Sequence, residues 1–111
     1  MTGKMIFVSS PYTSQDPAVT LERYENVCKY TAELVASGQV AFSPIVYGHT
    51  LLSYAKMPSD WQFWKNFCES FLSKCAEVHV LTIPGWQEST GVAAEIAFAE
   101  SKEIPIKYIR P

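Results

Sequence analysis

The chain has 111 residues, 48% of them hydrophobic and 18% charged, with a formal net charge of −2. That length fits one domain around a single core, and the composition is too apolar and too aromatic for a disordered chain. The slight acidity removes the electrostatic case for a binder of nucleic-acid polymers.

Residues 4–9 read as a short buried strand, ended by Ser10-Pro11. The apolar run before Ser9 is too short for a secretory signal, and we expect a cytoplasmic protein. Asp16 is an N-cap ahead of Pro17 at the first helical position. Val19, Tyr24, Val27, Thr31, Leu34 and Val35 then recur at helical spacing until Gly38, which stops the helix. Residues 40–45 predict a second strand interrupted by Pro44, and residues 48–56 a short helix. The stretch from Leu34 to Ala55 has no Lys, Arg, Asp or Glu and is long enough to span a bilayer. Polar residues, Pro44 and two glycines break it, so no membrane helix is expected. Ser59 is the expected cap of a helix over residues 61–74, with Trp64, Phe67, Phe71 and Leu72 facing inward. Residues 77–83 read as a third strand, Pro84-Gly85-Trp86 as a turn, Ser89 as the start of a helix reaching about Lys102, and residues 104–109 as a fourth strand.

Strands alternating with helices define an α/β domain. Right-handed crossovers then give a small doubly wound parallel sheet, Rossmann-like or flavodoxin-like, of four or five strands in the order 2-1-3-4 with helices on both faces. The whole chain, residues 1–111, forms one domain. Neighbours of strand 1 leave in opposite directions, so a ligand crevice opens at the C-terminal ends of strands 1 and 3. Cys28, Cys68 and Cys75 show no C-x-x-C pair and no histidine at zinc-ligand spacing, so neither a metal site nor any other cofactor is expected. Cys28 and Cys75 read as small core hydrophobes, and His79 as a strand residue.

Two segments meet at that crevice. After strand 1 come Ser9, Ser10, Pro11 and Tyr12: hydroxyls and backbone N–H groups, with an aromatic ring that suits a base or a sugar. Ser43-Pro44-Ile45 with His49 repeats the pattern after strand 2. After strand 3 comes Pro84-Gly-Trp-Gln-Glu-Ser-Thr-Gly-Val-Ala-Ala-Glu95. Ser89 and Gly91 fall at a helix start, where free N–H groups and the positive dipole end attract anions. Glu95 is the only charge between Thr90 and Ala99. Periodicity alone leaves it two places: facing solvent beside Glu88 or Lys102, or turned into the crevice, where a carboxylate needs a partner or a task.

On Phe7-Val-Ser-Ser-Pro-Tyr12, Phe42-Ser-Pro-Ile45 with His49, and the segment ending in Glu95, the chain resembles the nucleoside 2-deoxyribosyltransferase-like superfamily. The pieces stand in the expected order and cover nearly the whole chain. In that superfamily, which includes deoxynucleotide N-hydrolases, the matching glutamate is the nucleophile. The resemblance implies that Glu95 attacks the sugar, that Ser89 holds a 5′-phosphate or the sugar, and that Gly91 gives backbone access. Trp86 joins the substrate-binding set, and the ligand implied is a nucleoside or nucleotide. The chain departs from the pattern twice. Phe7 stands where relatives carry a tyrosine, and Cys68 stands where they carry an aspartate, with Glu69 beside it as the expected substitute. Candidates for protonating the leaving base are then Glu69, His49 and Tyr12, in that order. Two other functions compete with N-glycosidic cleavage or transfer: a non-catalytic protein that sequesters a nucleotide-like signal, and an interaction domain with an unused crevice. Trp61 and Trp64, on a helix with few charges, lead us to expect a homo-oligomer.

Overall fold

The computed structural model describes residues 4–111. In chain order it contains β1 (Met5–Ser9), α1 (Pro17–Ala36), β2 (Val40–Phe42), α2 (Pro44–Leu52), α3 (Trp61–Leu72), β3 (Glu77–Leu81), α4 (Thr90–Ser101) and β4 (Ile106–Ile109), with a short 3₁₀ turn at Trp86–Glu88. The four strands form one parallel sheet in the order β2-β1-β3-β4. This is the expected doubly wound α/β arrangement.

Side-chain alternation along the strands divides the core in two. Phe7, Val78 and Val80 point to the face covered by α3 and α4, where Leu72, Cys75, Val92 and Ala99 join them. Ile6, Val8 and Leu81 point to the other face and pack on Val27 and Leu34 of α1. Ser9 lies on the α3–α4 side by the same alternation, opposite Val80 in the register. His79 is buried in β3 and bonds through Nδ1 to the Tyr30 hydroxyl at 2.6 Å, so it is a strand residue as expected.

Boundaries differ from expectation where caps and prolines decide them. β2 stops at Phe42, and Pro44 opens α2 where an interrupted strand was expected. Ser43 is the cap, its Oγ accepting from Val46 N at 3.2 Å, and proline at the first helical position loses no hydrogen bond there. Asp60, not Ser59, caps α3, with Oδ1 accepting from Phe63 N at 3.1 Å. α3 ends at Leu72, two residues early. Phe71 is exposed rather than inward, although its ring stacks on Phe42 at 4.2 Å. β4 begins at Ile106 because Pro105 has no N–H to give the ladder, while its carbonyl accepts from Val78 N at 2.9 Å. Among the described residues no helix is long and apolar enough to cross a membrane.

Candidate functional site

In α4 the buried residues are Val92, Glu95 and Ala99. Their i, i+3, i+7 spacing is the inward stripe of an ordinary amphipathic helix, with a carboxyl group at its middle position. Glu95 is 5% exposed and meets the C-terminal end of β1, where Ser9 Oγ donates to its Oε1 at 2.6 Å. Cys68, on the neighbouring α3, turns its thiol toward the same carboxyl and favours its charged form. Burial outweighs both influences and pushes the Glu95 pKa up from 4.5 to about 7. The Cys68 thiol moves up as well, first through burial and then through the charge of Glu95. The solvent-facing alternative for Glu95 is thereby removed.

Glu95 sits in the wall of a cavity of about 320 Å³. The loop after β1 contributes Ser10, Tyr12 and Thr13, and the start of α4 contributes Ser89, Thr90 and Gly91. This is the switch point between β1 and β3 where the topology predicts a ligand. Ser10 is 6% exposed, lines the cavity, and its hydroxyl has no hydrogen-bond partner. A buried hydroxyl without a partner is uncommon in folded chains, and this one stands at the cavity wall. Ser89 caps α4, its Oγ accepting from Val92 N at 3.2 Å. A Cβ at Gly91 would lie 3.6 Å from Trp61, an ordinary contact, so packing leaves room beside that backbone.

His49 enters from α2. The Tyr12 hydroxyl and His49 Nδ1 are 2.8 Å apart, and the imidazole stacks on Tyr24 with ring centres 3.7 Å apart. Tyr12 and Tyr24 thus fix the orientation of this ring at the cavity wall.

Four expected site residues do not line the cavity. Glu69 is half-buried one residue beyond Cys68 and does not line the cavity. Successive helical residues are about 100° apart around the axis, so when Cys68 faces the cavity its neighbour is turned away. Pro11 is buried and shapes the turn without lining the cavity. Trp86 packs against the core and against Tyr108, 5.7 Å between ring centres, and lines a separate surface depression with Thr82 and Arg110. Ser9 does not line the cavity and meets it only through its bond to Glu95.

Trp61, Trp64, Cys68 and Asp60 also line the cavity, and the sequence reading did not place them there as site residues. The signal was available: 61, 64 and 68 stand at i, i+3, i+7, one stripe of α3. Trp64 lies against Gly48, where a Cβ would approach its ring to 3.3 Å, and its Nε1 donates to the Pro58 carbonyl at 2.9 Å. The two tryptophans therefore wall a cavity, which removes them as the reason to expect assembly. Among the described residues no group of three or more His, Cys, Asp or Glu side chains could hold a metal ion.

Fold and site together define a small doubly wound α/β protein with a buried, hydrogen-bonded carboxyl at a switch-point cavity. The chain belongs to the family described as Domain of unknown function (DUF1937), whose profile matches residues 4–110. No curated protein matches it.

Proposed function

We propose that the protein cleaves or transfers the N-glycosidic bond of a nucleoside or nucleotide through Glu95. The observation that carries this reading is the environment of Glu95: a buried carboxyl with a pKa near 7, oriented by Ser9 and opening on a cavity. That volume is at the small end of the roughly 300–1,000 Å³ usual for small-molecule sites, enough for one compact ligand. Breaking an N-glycosidic bond builds positive charge on the sugar ring. A carboxylate that is poorly solvated at rest interacts more strongly with that charge than a solvated one. Glu95 Oε then bonds to C1′ as the C1′–N bond breaks, and water or a second base displaces it. Ser10 and Ser89 are suited to sugar or phosphate oxygens. With Glu69 outside the cavity, His49, oriented by Tyr12 and Tyr24, becomes the first candidate for protonating a neutral base.

Glu95→Gln tests this. Glutamine keeps the shape but forms no ester and balances no cationic charge. Base release, followed by chromatography, should fall at least ~10³-fold, while ligand affinity stays within a few-fold. Unchanged release by the variant would remove Glu95 from the mechanism. One observation favours a second reading, sequestration of a nucleotide-like signal: the group beside Glu95 is the Cys68 thiol, a poor proton donor. Under that reading the wild type releases no base, and Glu95→Gln changes only affinity.

A further inference from the structure

The charges around the cavity are unbalanced. Asp60, Glu88 and Glu95 line it, and among the described residues no lysine or arginine does. Arg23, the nearest argument for an anion site, donates through Nη1 to the Thr13 carbonyl at 2.8 Å and lies against Gly85, outside the cavity wall. Glu88 directly precedes the Ser89 cap, so its negative charge offsets the positive end of α4. Trp61 lies over Gly91 at the same helix start. A phosphate dianion would meet three acidic side chains and no lysine or arginine on the cavity wall, which is the reverse of what phosphate sites present. A cation would meet carboxylates together with the rings of Trp61, Trp64 and Tyr12, the components of a cation–π site.

The chemistry points the same way. A neutral base needs a proton as it leaves, and beside Glu95 stands a thiol that burial and the Glu95 charge keep protonated. A base whose ring already carries the positive charge, at or conjugated with its glycosidic nitrogen, needs none. Resting on the glycosidic reading above, we propose that the substrate is an unphosphorylated nucleoside with a cationic base, of the pyridinium or N7-alkylpurine class. In the step itself, a Glu95 carboxylate oxygen bonds to C1′. The C1′–N pair moves onto the ring nitrogen and neutralises it, and the base departs without a proton. Water oxygen then bonds to C1′, Glu95 leaves as carboxylate, and one proton passes to solvent.

The test is a competition among defined probes: nicotinamide riboside, its 5′-phosphate, 2′-deoxyadenosine and 2′-deoxyadenosine 5′-monophosphate, with released base measured by chromatography. Nicotinamide riboside should exceed each of the others in kcat/KM by roughly tenfold or more. Its advantage over its own 5′-phosphate should shrink as salt rises, because exposed charges are screened over about 8–10 Å at physiological ionic strength. The double variant Asp60→Asn, Glu88→Gln should narrow that advantage at low salt. Asparagine still caps α3, and both positions are exposed, so the fold is preserved. Faster release from deoxyadenosine or from either phosphate overturns this substrate class and leaves the glycosidic reading standing. So does a double variant with undiminished discrimination, which would detach the preference from these carboxylates. Release from none of the four overturns the glycosidic reading itself, and the substrate class with it.

Discussion

Glu95 couples the chemistry of the site to the stability of the fold. Its pKa is about 7 in the folded chain against 4.5 for an ordinary carboxyl, so the folded state binds more protons between those values. Stability from this group is fully present below 4.5 and is lost as pH rises through 7. At about 1.4 kcal/mol per pH unit crossed, the loss is about 3 kcal/mol. Glu95→Gln lacks this penalty. The variant should therefore melt close to wild type near pH ~5 and clearly above it near pH ~8, as read by thermal denaturation. A difference that does not grow with pH would mean that Glu95 is not buried in solution. The position was open in the sequence because one helical residue can face either way. What resolved it was the neighbouring pair, Val92 and Ala99, both buried on the same stripe.

At the scale of elements, the turn between β3 and α4 joins core to cavity. Gly85 has φ +95°, the left-handed region that favours glycine, and a Cβ there would collide with the Arg23 guanidinium. Arg23 in turn ties the loop after β1 through its bond to the Thr13 carbonyl. Gly85→Ala should cost about 1–3 kcal/mol through backbone strain and the displaced arginine. Denaturant titration measures that cost, and loss of ligand affinity in the folded variant would show that both loops moved. The elements themselves were legible because caps and prolines are local signals: Asp16 with Pro17, Gly38, and Ser89 all stand where α1 and α4 begin or end. The misjudged boundaries have a common cause. Pro44 and Asp60 follow residues that could also cap or extend, and only the hydrogen bonds made in the folded chain choose between them.

Across the molecule, an aromatic strip joins β2, α2 and α3 and meets Trp64 through Phe67. Phe42 stacks on Phe71, and Tyr47 on Phe67 at 5.8 Å, with Tyr47, Phe63 and Phe71 all exposed. Exposed apolar patches of this kind are uncommon on monomers. We expect a solution mass of at least two chains at micromolar concentration, by sedimentation or light scattering. Replacing Phe63 and Phe71 by serine should reduce it. A single-chain mass for the wild type would leave the strip without a partner copy.

Local patterning was enough to read the layer architecture, the parallel order and the end of the sheet where the cavity forms. Hydrophobic periodicity, crossover handedness and strand order are properties of local patterns and chain connectivity. The sequence also singled out Ser10, Tyr12, His49, Ser89, Gly91 and Glu95, which the fold brings to one cavity. Which neighbours share it was settled by packing. Cys68 turns inward and Glu69 does not, Trp86 goes to the core, and Trp61 with Trp64 closes the wall. Those outcomes depend on the rotation of α3 and on its packing against α4, which are set by contacts between residues far apart in the chain.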